Sequence, residues 1–212
     1  MGFTTSSNAI GLEGIGVGVS IGTAGYYAVG EEQEDNNPVG VDDTKQAGAF
    51  QHDLGSIFFE YDLGAIKFGL DYHVQDIETP TNTNVQIDLQ DNNTGDDGGT
   101  NTVKATFENH TTAYILAPVW GGLYVKAGAI YVDIKTQENL ATGGEYPNSD
   151  TTGITAGVGF NHEVQDGISV RFEAMAAQYE DISAANSTDG TKTIQITDMM
   201  GANAKVSLVK AF

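Results

Sequence analysis

Seven side chains able to hold or move charge, Glu60, Lys67, Asp71, His73, Lys126, Arg171 and Glu173, each stand between two apolar neighbours. In extended chain such residues project onto one face and their neighbours onto the other. Gathered in a confined space, charges of both signs can act in two ways. They can gate an ion path by exchanging partners, or they can pair permanently and plug the space. Buried charges must pair, so the plug is the plainer expectation.

Other candidates for chemistry are weaker. The four histidines, His52, His73, His110 and His162, show no metal-ligand spacing, which argues against zinc. His110-Thr111-Thr112 is a faint match to a hydrolytic His and hydroxyl pair on an outer wall, although polarity at a strand end explains it equally simply. Asp91, Asn93, Asp96 and Asp97 offer hard oxygen ligands for calcium in a glycine-rich loop. Their spacing does not fit the twelve-residue calcium loop with its terminal glutamate, so a solvated, self-repelling loop is expected, and no cofactor is.

The elements that carry these residues read as strands. From Thr152 to Ala177 the apolar Ile154, Ala156, Val158 and Phe160 alternate with Gly153, Thr155, Gly157, Gly159 and Asn161. After the turn Gln165-Asp166-Gly167, Ile168, Val170, Phe172, Ala174 and Ala176 alternate with Ser169, Arg171, Glu173 and Met175. A period of two is the signature of a strand. Glycines beside an Arg and Glu face imply a crowded ionic interior and an exterior suited to hydrocarbon.

This hairpin resembles a recurrent segment of the small outer-membrane barrels of the OmpA/OmpX/opacity-protein type, carried here by Gly157-x-Gly159, Gln165-Asp166-Gly167 and Arg171-x-Glu173. The run Leu123-Tyr124-Val125-Lys126-Ala127-Gly128 is similar to the same family. The terminal Phe212 on an alternating strand resembles the signal by which such barrels are recognised by the insertion machinery, with Lys210 standing where another apolar residue is usual. The resemblance implies an outer-membrane location in a Gram-negative envelope, contact with outer-membrane lipid or lipopolysaccharide, and a stabilising or adhesive role.

Composition narrows the rest. A net charge of -20, from 29 acidic and 9 basic residues, excludes nucleic acid as a partner, and the absence of cysteine removes disulfides and thiolate metal sites. No apolar run is long enough for a helical span, yet a barrel escapes that test because alternate residues face its lumen. The 212 residues are expected to form one domain behind a flexible segment 1–9, with any export signal already removed and Met1 an added start.

Taken in order, the expected strands are 10–27, 49–62, 65–77, 111–119, 123–131, the two arms of the hairpin, and a last one ending at Phe212. In the first, Ile15, Val17, Val19 and Ile21 alternate with Gly14, Gly16, Gly18, Ser20 and Gly22, a strand spacing rather than a phosphate loop. Small inward residues leave room for large ones from neighbouring strands. Ile57, Phe59 and Tyr61 oppose Ser56, Phe58 and Glu60, and Ile66, Phe68, Leu70, Tyr72 and Val74 oppose Lys67, Gly69, Asp71, His73 and Gln75. The faces of 111–119 stay unassigned.

Short turns at 62–64, 118–122 and 165–167 alternate with polar segments at 29–46, 78–109, 135–150 and 180–192, read as loops. Within the second of these, the pieces 85–89 and 103–107 read as a hairpin extending the neighbouring strands. Tyr26, Tyr27, Tyr131 and Tyr179 at one end, and Trp120 and Tyr124 at the other, read as aromatic girdles, while the phase of 123–131 also places Tyr124 inward. The expected fold is all-β, an eight-stranded antiparallel up-and-down transmembrane barrel with short periplasmic turns and long extracellular loops. Its expected role is non-enzymatic, membrane-stabilising or adhesive through acidic loops that meet an extracellular ligand. A narrow porin-like conduit, a lipid-modifying enzyme and a soluble lipocalin-like ligand-binding barrel are the alternatives.

Overall fold

The computed structural model describes residues 13–35, 41–86, 99–139, 145–187, 190 and 192–212. They form eleven strands: β1 (Ile15–Asp35), β2 (Val41–Asp62), β3 (Lys67–His73), β4 (Ile77–Glu78), β5 (Asn82–Gln86), β6 (Gly99–Trp120), β7 (Leu123–Asn139), β8 (Ser149–Gln165), β9 (Ile168–Tyr179), β10 (Ile182–Ala185) and β11 (Lys192–Ala211). β3, β4 and β5 follow one another along β6 as one interrupted stave, and β9 and β10 do the same along β11. Eight staves therefore run antiparallel, and the pairing of β1 with β11 from Gly16↔Ala211 to Glu34↔Lys192 closes them into a barrel.

Polarity is inverted along the lower barrel. Val19, Ile21, Ile57, Phe59, Leu70, Val125, Ile154, Val158, Phe172 and Leu208 all look outward, Ile21 with 73 % of its surface exposed. Glu60, Asp71, Lys126, Arg171, Glu173 and Lys205 look inward and are buried. Charges occupy the centre and aliphatic side chains the surface, so a lipocalin-like arrangement with a sealed apolar centre does not hold. The wall is built for lipid.

Glycine makes this interior possible. A Cβ on Gly18 would lie 2.1 Å from the Phe58 ring, one on Gly69 2.2 Å from Tyr114, and one on Gly159 2.2 Å from Tyr124. Each large inward ring lies over a neighbouring strand's glycine, the small-against-large exchange expected of a narrow barrel. At the lower end Gly64 takes φ +88° and Gly167 φ +67°, backbone that tight reversals need and that β-carbons oppose.

The strands run much further than the alternation of apolar residues. Segments expected as loops are largely ladder: β1 and β2 stay paired from Ile15↔Tyr61 up to Asp35↔Val41, and β6 and β7 from Trp120↔Leu123 to Thr102↔Asn139. Backbone hydrogen bonds do not require apolar side chains, and once above the lipid the outward face is free to be polar. Of the hairpin expected from 85–89 and 103–107, the described residues show a shifted form, with β5 paired to β6 from Asn82↔Val103 to Gln86↔Gly99 and Phe107 paired with Ile77 of β4, while 87–98 lies outside the described residues. The N-terminal segment 1–9 lies outside the described residues.

Along β7 the inward residues change character without changing phase. Tyr124 and Lys126 face inward low in the barrel, Ile130, Val132 and Ile134 higher up, while the outward residues pass from Val125 and Ala127 to Tyr131, Asp133 and Lys135. The upper barrel is thus an ordinary water-facing structure, with Ala24, Leu54 and Ile77 packed beside Tyr26, Phe50 and Phe107, and Ile134, Ile182 and Met199 beside Tyr179 and Ile196. At the crossover Tyr131 and Tyr72 face outward, their hydroxyls bonded to Asp133 (2.7 Å) and Asn109 (3.3 Å), which is itself bonded to Asp133 (2.8 Å). The aromatic girdles need correcting. Tyr27, Tyr131 and Trp120 face outward, whereas Tyr124 is buried inside and Tyr26 and Tyr179 pack against the inner core.

Two expected outcomes follow for the folded barrel in detergent, read by its unfolding midpoint in urea. Val158→Arg on the lipid face costs about 2–4 kcal/mol, against within about 0.5 kcal/mol for Gln51→Arg above the lipid. Gly159→Ala costs about 1–3 kcal/mol by displacing the Tyr124 ring.

Candidate functional site

The inward charges of the lower barrel meet as three ion pairs. Arg171 on β9 grips Glu60 on β2 with both terminal nitrogens, at 2.5 and 2.6 Å, and its Nε donates to Asn161 Oδ1 at 3.0 Å. This fork-to-fork geometry is the strongest form of an Arg–carboxylate bond. Lys126 on β7 reaches both oxygens of Glu173 on β9, at 3.0 and 3.2 Å. Lys205 on β11 reaches Asp71 on β3 at 2.6 Å. Three acids meet three bases, one to one.

Two tyrosines tie the first two pairs together. Tyr114 Oη donates to Glu60 and Tyr124 Oη to Glu173, each at 2.8 Å, while the Lys126 ammonium lies 3.8 Å from the centre of the Tyr114 ring. Glu60, buried to 2 % exposure, is thus held from β6 and β9 at once. Ser20 and Ser207 bond to each other across β1 and β11 at 2.9 Å. In a dry centre these contacts do work that water would otherwise do.

Above the pairs His73 and His110 stack with ring centres 4.1 Å apart and planes 13° from parallel, and His110 Nε2 meets the Tyr179 hydroxyl at 3.1 Å. Asp71 Oδ1, His73 Nδ1, His110 Nδ1 and Asn203 Oδ1 have no protein partner, and their residues line a cavity of about 30 Å³. That space suits one or two bridging waters. Parallel rings send their lone pairs in parallel rather than to one point, and among the described residues no group of His, Asp or Glu is arranged for a metal ion. Below the pairs, at the end with the short turns, a vestibule of about 400 Å³ ends on Glu60 and Arg171.

Six of the seven charged or titratable residues expected in the lumen are there: Glu60, Asp71, His73, Lys126, Arg171 and Glu173. Lys67 is not part of the central network. It sits at the lower mouth, bound to Asp62 at 2.9 Å, because it is the first residue of its stave. Lys205, Tyr114 and Tyr124 complete the network and were missing from the expected set. Lys205 was legible from its place between the outward Ala204 and Val206. His110 lies in the lumen at 7 % exposure, so it cannot serve an outer-wall hydrolase site. The calcium candidates Asp91, Asn93, Asp96 and Asp97 lie outside the described residues.

Comparison with known proteins agrees with this architecture. OprG from Pseudomonas aeruginosa superposes with a TM-score of 0.52 at 11 % identity, covering 94 % of this chain and 97 % of its own. Its fold is that of the outer-membrane β-barrels. The outer membrane protease OmpT from Escherichia coli superposes with a TM-score of 0.50 at 10 % identity, covering 99 % of this chain and all of its own. No protein-family model and no curated protein matches the sequence.

At the upper end the barrel is capped by Tyr146, buried to 6 % exposure. Its backbone N–H donates to Glu138 Oε1 and its hydroxyl to Glu32 Oε1 at 3.1 Å. Burial pushes the Glu138 carboxyl above its ordinary range, against the pull of that N–H. The folded cap therefore holds a proton on Glu138 more tightly than the unfolded chain does. Its stabilising effect is complete below the ordinary glutamate range and is lost as pH rises through the raised value.

Amide exchange at Tyr146, read by NMR in micelles and corrected for intrinsic rate, should show the cap opening more often as pH rises from about 4 to 7, the range that brackets a raised glutamate. Glu138→Gln should flatten that dependence. In the lumen, Arg171→Met alone should cost about 3–5 kcal/mol by leaving Glu60 buried and unpaired, and adding Glu60→Gln should recover a large part of it, both read as urea midpoints.

Proposed function

We propose that this chain is a non-enzymatic, plugged barrel of a Gram-negative outer membrane, stabilising the envelope or serving adhesion through its extracellular extension. The observation that carries the reading is the lumen, where three closed ion pairs and two tyrosines separate the periplasmic vestibule from a cavity of about 30 Å³. Among the described residues the cavity and the vestibule share no lining residue, which supports a closed lumen. An outward belt of aliphatic side chains supports residence in lipid, with lipopolysaccharide and outer-membrane lipid as the molecules it meets. Phe212, exposed at the end of the closing strand, suits recognition by the barrel-insertion machinery.

A narrow conduit is the second reading, favoured by the vestibule that ends directly on Arg171 and Glu60, with Lys126 and Glu173 behind them. Exchange of partners among those four would be its gate. Planar-bilayer recording separates the two. A plug gives no discrete steps from the native chain and steps only when Arg171→Ala and Lys126→Ala are combined, whereas steps from the native chain would overturn it.

A further inference from the structure

One side of the barrel wall is split above the lipid. β2 is paired with β1 along its whole length, but with β3 only from Ser56↔His73 to Asp62↔Lys67. Beyond His73 the chain leaves β2, and β4 and β5 pair with β6 instead. The last contact across is the Val74 N–H donating to the Gly55 carbonyl at 3.0 Å. Among the described residues, β2 from Lys45 to Asp53 has no strand on that side.

Backbone alternation fixes what this edge presents. Since Gly55 bonds toward β3, Asp53, Gln51, Ala49, Ala47 and Lys45 turn their N–H and C=O groups to the same side, while the even-numbered residues bond to β1. The Asp53 carbonyl is met by its neighbour's ring, His52 Nδ1, at 2.6 Å. Edge strands are ordinarily protected by proline, bulges or inward charges. This one has no proline, pairs with β1 without a bulge, and carries Ala47-Gly48-Ala49 with open space at Gly48.

At the upper end of the gap Asn82 Nδ2 donates to Gln46 Oε1 at 3.1 Å, a side-chain bond across it. Within the gap lies a cleft of about 650 Å³ lined by Gln51, His52 and Asp53 on one lip and Gln75, Asp76 and Glu78 on the other. Three of the six are carboxylates, none is Lys or Arg, and the chain as a whole carries -20.

We propose that this edge is a strand-addition site for an extended, basic polypeptide segment, which pairs its backbone with β2 between Lys45 and Asp53 and sets its cations against Asp53 and Asp76, Glu78 being held already by Lys104 at 2.7 Å. Main-chain pairing supplies the attachment and the acidic lips select the sign of the partner. The same acids disfavour edge-to-edge pairing of two copies. The inference rests on the reading of this end as extracellular, and names the class of ligand that the extension takes.

The test uses the full chain in micelles and a synthetic peptide of five Lys-Val repeats, with a five-repeat Glu-Val peptide and a Lys-Val peptide N-methylated at alternate residues as controls. Binding of the Lys-Val peptide with slowed amide exchange at Asp53, Gln51 and Ala49 is expected, with at least tenfold weaker binding for either control. Ala49→Pro removes a donor on the open side only, since the ladder to β1 uses even-numbered residues, and should weaken binding at least tenfold while the heat-modified gel shift persists. No binding, or binding that ignores N-methylation and Ala49→Pro and follows charge alone, overturns the proposal. Concentration-dependent dimers protecting the same amides without peptide overturn it in favour of a second copy. Labelling of a Gln51→Cys variant on intact cells by an impermeant maleimide keeps the two readings apart: failure to label sinks the extracellular reading itself, whereas labelling without peptide binding sinks only this inference.

Discussion

Everything in the lower barrel depends on the pairing of six buried charges. A closed wall of alternating residues in lipid must place its polar half inside, and eight staves enclose a space that side chains fill rather than water. Within it an unpaired carboxylate or ammonium would be intolerable, so Glu60, Asp71 and Glu173 each meet one base. The glycines at 18, 69 and 159 follow from the same demand, because the rings that tie or flank those pairs need the volume a β-carbon would take.

The second organising fact is that polarity reverses twice. Across the wall it is inverted relative to a water-soluble protein, and along the strands it reverts once they leave the lipid. β7 shows both in one stretch, with Lys126 inward beneath Val132 and Ile134 on the same face. The upper part therefore has a small apolar core of its own. This explains why segments with few outward apolar residues are still strands: their backbone ladder continues into water, where the outward face has no reason to be greasy.

The seam beside β2 lies in that upper region, where it costs least. Within hydrocarbon an unpaired strand edge would strand its backbone groups, and there every stave is paired on both sides. Above the Gly55 and Val74 contact the strand is clear of hydrocarbon, where an open backbone edge can be met by water. An edge tolerated for that reason is also one that a second chain can use.

Much of this was legible in the residues alone. Strict alternation through 14–22, 56–61, 66–75, 123–131 and 152–176 determined the strands and which side chains share a face, because a strand has a period of two, while the glycines beside Arg171 and Glu173 and the family resemblance pointed to the charged face as the inner one. The tertiary structure decided what alternation cannot carry. Which base meets which acid depends on how far each stave is shifted past the next, so the partners Arg171 and Glu60, 111 residues apart, follow from closure and not from spacing. The stacking of His73 on His110 and the gap beside β2 have the same origin: each is a position around and along a closed barrel, and no local pattern in the chain encodes it.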